Sequence, residues 1–268
     1  DCQELAEVTL PFIGASFEDS EITWLGYIFG AGGYKASATY VPESLKKVTV
    51  SGQNDSVHVL FLRLFRQSPQ DIIRFKQQYP DTTILLLGNH DLHYLWDEHY
   101  SRYNDEHAER YAQLIREHLH LFQAAYAIGD RVLVTHAGVT RPWLQLAGIS
   151  EQQSASQLAE AICRCMSDEG LRHLFSVEST FYPDDYCGTS PTASPIWVRP
   201  HTLLDCGLFV DHRGDTLYQV VGHTQVSQIM QFDSCVFIDC LGTMPQSLQI
   251  TFDAAGEPIF TPLPANNQ

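Results

Sequence analysis

Three short strings in this chain carry side chains able to do chemistry: Gly88-Asn89-His90-Asp91, Thr135-His136-Ala137-Gly138 and Gly222-His223-Thr224. Asn89 offers a neutral carboxamide oxygen, and His136 and His223 offer imidazole nitrogens, a donor set suited to a divalent metal ion. His90 beside Asp91 pairs an imidazole with a carboxylate that can fix its tautomer, as a general acid requires. Together these are the groups that metal-assisted cleavage of a phosphoester needs. Each string also has a purely structural reading. Asn and Asp cap helix N-termini well, and a histidine at a strand end is commonly a satisfied polar group.

The elements that must position these groups are legible as hydrophobic runs. Residues 84–87, 131–134 and 218–221 read as buried strands, each ending just ahead of one string, and a glycine close to each candidate ligand permits a sharp turn. Further strands are expected at 22–25, 57–62 and 235–238. Ser68-Pro69 opens a helix over 71–79, which Pro80 stops. The spacing of Tyr111, Leu114, Ile115, Leu119 and Phe122 predicts a helix over 104–122. Ser150 with Gln153 forms an expected capping box for a helix through Met166, with Leu158 and Ile162 turned inward. Residues 232–239 and 247–252 read as neighbouring strands, 176–194 as a loop over one face, and 262–268 as a flexible tail. Strands alternating with helices indicate an α/β fold. In open sheets of that class the carboxyl ends of strands gather at one crevice, so Asn89, His136 and His223 are expected to converge there.

Bulk composition narrows the function. With 268 residues and 44% hydrophobic content the chain can bury one large core. Its formal charge of −16 leaves no basic stripe for a nucleic-acid polymer and no polybasic patch for anionic lipid. No apolar run is long enough to span a bilayer. The seven cysteines form no paired knuckle for zinc, and reduced, mostly buried thiols in a cytoplasmic protein are the expectation.

The three strings, in this order, resemble the calcineurin-like metallophosphoesterases, nearest the bacterial branch of phosphoprotein phosphatases and symmetrical diadenosine tetraphosphatases. Family members read G-D-x-H-G, G-D-x-x-D-R-G, G-N-H-[DE], H-[AG]-G and G-H-T. The match is good over 68–261 and poor over 1–67. The resemblance implies a single domain folded as a four-layer α/β/β/α sandwich. It implies Asn89, His136 and His223 as ligands of the second of two metals, His90 as the acid that protonates the leaving oxygen, and Asp91 as its orienting carboxylate. Arg199, within Ser194-Pro195-Ile196-Trp197-Val198-Arg199-Pro200, matches the segment that supplies a phosphate-gripping arginine.

The first two motifs depart from the family. Gly26-Tyr27-Ile28-Phe29-Gly30 places Tyr27 and Phe29 where an aspartate and a histidine belong, and phenylalanine has no donor atom. Leu64 stands nearest the bridging aspartate, and only Arg66 survives of that motif, if the register slips there. Decay, deliberate change and a misread frame over the first quarter remain open. What is expected is one divalent ion (manganese, iron, zinc or nickel) rather than two. The expected activity is reduced hydrolysis by metal-bound water, on a phosphoprotein or a dinucleoside polyphosphate. The rival expectation is a pseudophosphatase that keeps the cleft as a binding module.

Overall fold

The computed structural model describes residues 57–59, 69–96, 108–175, 187–240, 244 and 246–264. Tyr27, Phe29, Leu64 and Arg66, with the strand expected at 22–25, lie outside the described residues. The strands are β1 (Val57–Val59), β2 (Leu85–Leu86), β3 (Phe122–Gln123), β4 (Ala125–Ile128), β5 (Val132–Thr135), β6 (Phe209–Val210), β7 (Thr216–Val221), β8 (Met230–Phe232), β9 (Cys235–Phe237), β10 (Gln246–Phe252) and β11 (Pro258–Pro264). The helices are α1 (Pro69–Gln78), α2 (Asn89–Trp96), α3 (Ala108–Glu117), α4 (Arg141–Leu146), α5 (Ala155–Ser167) and α6 (Pro200–Cys206). The chain is therefore a mixed α/β protein.

The main sheet has the order β4-β5-β7-β9-β8, with β6 added to β7. Its centre is parallel: Thr135 lies opposite Val221, and Val221 opposite Phe237. The outer strands β4 and β8 run antiparallel to their neighbours. Strand β5 shows why the sheet is sandwiched, since all four of its residues are buried. Successive side chains on a strand point to opposite faces. Val132 and Val134 join Val220 and Val236 in a core shared with Leu248 and Ile250 of the sheet β1-β10-β11. Leu133 instead faces a second core with Leu158 and Ile162 of α5 and Trp143 of α4. One face of the main sheet thus packs on a second sheet, the other on helices. No helix among the described residues is long and apolar enough to cross a membrane.

Several expectations change on contact with the structure. The capping box belongs to Ser154 and Gln157, not to Ser150 and Gln153. The Ser-x-x-Gln spacing occurs twice in succession, and the second copy wins because its helix start is tied down: Ala155 N donates to Asp130 O at 2.9 Å. Leu158 and Ile162 are fully buried on α5, as expected. The helix predicted over 104–122 ends at Glu117, and Phe122 instead opens β3, which runs parallel to β2. Residues 232–239 are not one strand. Asp233, at φ 49°, turns the chain so that β8 and β9 form a hairpin. Strand β10 pairs with β1 and β11 rather than with β9. Residues 262–264, expected in a tail, complete β11. The described part of the expected surface loop is largely interior, with Ser190, Thr192, Ala193 and Ser194 all buried. Several of its polar groups are paired locally: Ser190 and Thr192 hydroxyls lie 3.0 Å apart, and Thr140 Oγ1 donates to Pro191 O at 2.5 Å.

Candidate metal and phosphate site

Three elements deliver the candidate ligands. Strands β5 and β7 are parallel neighbours, so His136 and His223 leave the same edge of the sheet. Asn89 arrives from a separate pair, where β2 lies alongside β3 and Leu87 N donates to Gln123 O at 2.9 Å. The turn after His136 is fixed from below by Gln219 on β7. Its Oε1 accepts from Val139 N at 2.8 Å, and its Nε2 donates to Val139 O at 2.9 Å and Gly207 O at 2.6 Å. Gly138 sits at φ 113°, with Leu203 methyl carbons 2.5 and 2.6 Å from any added Cβ, so this turn admits only glycine.

The three side chains meet. His136 Nε2 lies 2.9 Å from Asn89 Oδ1 and 3.2 Å from His223 Nδ1. Asn89 is 2% exposed, so its carboxamide has been taken out of water to reach this position. Burial, and then the nearby charge of His90, lower the His136 pKa to about 3, so its ring is neutral and keeps a lone pair at ordinary pH. With the carboxamide oxygen facing the ring, Nε2 carries either one proton or one lone pair. It cannot fully satisfy an oxygen acceptor and a second ring nitrogen together. A cation held by the three donors would resolve that conflict. Donors about 2.1 Å from one ion, at right angles, are about 3.0 Å apart, close to the 2.9 and 3.2 Å that separate His136 Nε2 from its two neighbours. Among the described residues no three His, Cys, Asp or Glu side chains gather for a metal, and this cluster reaches three donors through an amide. The residues present fit a divalent ion.

The backbone is shaped to the cluster. A Cβ at Gly88 would stand 2.7 Å from His136 Cε1 and 2.9 Å from its Nδ1, so the ring occupies the space of a missing side chain. His223 adopts φ 63°, uncommon for a residue with a Cβ. Gly222 N donates to His136 O at 2.9 Å and Thr224 N to Gly222 O at 2.7 Å, which hold His223 in that turn. Strain of this kind costs on the order of 1–3 kcal/mol and persists only where surrounding contacts over-determine it.

His90 is the second residue of α2 and close enough to His136 to influence its charge. Asp91 is engaged with the backbone at the start of α2. Its Oδ2 accepts from Gly88 N at 2.7 Å, the reach-back of a carboxylate capping the start of its own helix. Burial raises its pKa to about 6 against the lowering effect of that Gly88 bond. The helix-capping reading of Asp91 is therefore realised directly.

Arg199 is half-buried and tethered at several points. Its Nε donates to Cys187 O at 2.9 Å and its Nη1 to Thr224 Oγ1 at 3.2 Å. Its guanidinium carbon lies 5.2 Å from the centroid of Trp197. That ring is in turn 5.2 Å from the His223 ring. Arginine and histidine thus belong to one constellation. Cys187 and Gly188 contribute to it without having been singled out, and Thr224, from the Gly222-His223-Thr224 string, contributes its hydroxyl. The Cys187-Gly188 turn was the available signal, although its partners lie far along the chain.

No protein-family profile and no curated protein matches this chain. Among solved structures it is similar to a cold-active protein-tyrosine phosphatase of a psychrophile, Shewanella sp., at 18% identity and a TM-score of 0.41, over 71% of this chain and 64% of that one. A mutant cold-active protein tyrosine phosphatase gives 18% identity and a TM-score of 0.42, over 71% and 63% of the two chains. The chain spans less than two thirds of the length of either.

Proposed function

We propose that this chain is a calcineurin-like metallophosphoesterase domain, folded as a four-layer α/β/β/α sandwich, that acts on a phosphate monoester or a dinucleoside polyphosphate with weakened turnover. The observation that carries the reading is the meeting of Asn89 Oδ1, His136 Nε2 and His223 Nδ1 within 2.9 and 3.2 Å. The sheet-on-sheet core supports the sandwich, and the helices on the other face of the main sheet agree with it.

Asn89, His136 and His223 would hold one divalent ion, with manganese, iron, zinc and nickel as candidates. When bound, such an ion supplies Lewis-acid polarisation of a phosphoryl oxygen. The chain's own groups do the rest. Arg199 presents a planar fork of donors that suits phosphate oxygens. Its tethers to Cys187 and Thr224 orient that fork in advance. His90, at the start of α2, would hold the proton delivered to the leaving oxygen. Asp91 contributes by fixing the helix start that carries His90 and Asn89. The substrate would be a phosphorylated protein or nucleotide met in the cytoplasm.

A second reading is a pseudophosphatase that binds phosphate without turnover. Tyr27 and Phe29, standing where ligands of a first metal belong, favour it. Manganese-loaded full chain assayed on an aryl phosphate, a phosphopeptide and a dinucleoside tetraphosphate distinguishes the two. Hydrolysis abolished by His90→Ala supports the enzyme. Orthophosphate binding with no hydrolysis supports the binding module. No binding of metal or phosphate contradicts both.

A further inference from the structure

Trp197 stands at the junction of the metal-facing and phosphate-facing groups. Its ring is tilted 51° against the His223 imidazole at a centroid separation of 5.2 Å. The Arg199 guanidinium carbon lies 5.2 Å from the same indole centroid. The chain around it is built to hold the ring there. Trp197 N donates to Ser194 O at 2.9 Å, and Arg199 N donates to Gly188 O at 2.9 Å. Gly188, at φ 73°, approaches so closely that a Cβ would fall 2.1 Å from Trp197 O and 3.0 Å from its Cδ1.

Two separate attractions act on this one indole. A guanidinium over an aromatic face is drawn to its negative quadrupole, most strongly for tryptophan. A tilted aromatic pair gains from edge-to-face electrostatics beyond area burial. Because Thr224 is the neighbour of His223 and accepts from Arg199, the arginine touches the His223 turn as well as the ring beside it. Arg199 and the His223 turn are thus linked twice, through Thr224 and through the indole that both groups contact.

We infer that Trp197 is a positioning residue whose indole fixes His223 and Arg199 relative to one another, so that ion binding and phosphate binding at this site are coupled through it. This rests on the proposed reading of His223 as a metal ligand and Arg199 as a phosphate ligand.

The test uses the full chain loaded with cobalt, followed by visible absorption and by calorimetric titration with orthophosphate. Trp197→Phe should keep the cobalt stoichiometry of the unsubstituted chain. It should weaken orthophosphate roughly three- to tenfold, the size of a diminished indole–guanidinium contact. In an Arg199→Ala background the same substitution should change phosphate affinity less than twofold, because its target is gone. Trp197→Leu should in addition shift the cobalt absorption band through His223. Should the leucine variant fail to fold, the phenylalanine variant and the double substitution decide the matter alone. Unaltered phosphate affinity in Trp197→Phe, or losses that multiply in the double variant, would make Trp197 mere packing while leaving the metal-and-phosphate reading intact. Failure of the unsubstituted chain to bind cobalt or phosphate overturns that reading and this one together.

Discussion

Replacing Gly88 by alanine should separate the ligand cluster from the fold. The new Cβ would stand 2.7 Å from His136 Cε1, 2.9 Å from Nδ1 and 3.1 Å from Nε2, whereas ordinary contact begins at 3.4 Å. The ring must therefore retreat by about 0.7 Å, the difference between 3.4 and 2.7 Å. Metal–donor distances tolerate only about 0.2 Å of error, so a displacement several times larger would remove His136 from the proposed coordination. Gly88 has no left-handed backbone requirement, so the cost to stability is confined to overpacking, about 1–3 kcal/mol. Manganese binding followed by equilibrium dialysis, together with thermal unfolding, checks both halves. We expect at least about a hundredfold loss of metal affinity, the upper end of what removing an outer-shell partner costs, because a direct ligand is displaced. The variant should still unfold cooperatively. A Gly88→Ala chain that binds manganese as tightly as the unsubstituted protein would refute the packing argument.

Three further outcomes follow from other parts of the structure. Ser154→Ala should cost about 1 kcal/mol in denaturant unfolding, because it removes the cap on α5, whereas Ser150→Ala should be near neutral. Gln219→Leu strips Val139 N, Val139 O and Gly207 O of their partner, and should destabilise the chain by about 2–4 kcal/mol. Asp211 gives a pH test. Burial alone would raise its carboxyl, but the backbone N–H groups of Asp215 and Arg213 and the Arg213 guanidinium outweigh burial and hold it below the usual range. A lowered folded-state pKa stabilises above the ordinary carboxylate value, and that contribution is lost as pH falls toward the lowered one. Asp211→Asn should therefore depress the melting temperature more at pH 7 than at pH 3. An equal or larger effect at pH 3 would contradict it.

The meeting of Asn89, His136 and His223 was legible because its information is local. A buried run, a glycine and a polar residue recur at Asn89, His136 and His223, and parallel pairing of β5 with β7 brings the two histidines to one edge. Elements without such a run were missed. Strand β4 has the sparse pattern Ala-Tyr-Ala-Ile, and β11 both begins and ends with proline. Proline is tolerated there because, among the described residues, β11 is an edge strand paired with β10 alone. The two successive Ser-x-x-Gln strings show the limit of local reasoning. Both can cap a helix, and the choice was made by Asp130, far from either in the chain. Asp91 could be picked out by type as well, and its carboxylate accepts from Gly88 N, the structural use that its helix position allowed. Arg199 could be picked out by type, while its grip on Cys187 and Thr224 depends on tertiary contacts that no spacing reveals.

Counting ions per chain tests most directly whether an amide and two imidazoles share a cation. Purified full chain, dialysed against manganese and freed of excess, should retain about one ion. Asn89→Ala, His136→Ala and His223→Ala should each retain essentially none, with folding intact by thermal unfolding. Retention of the ion in any of the three variants, or its absence from the unsubstituted protein, would contradict the site built here.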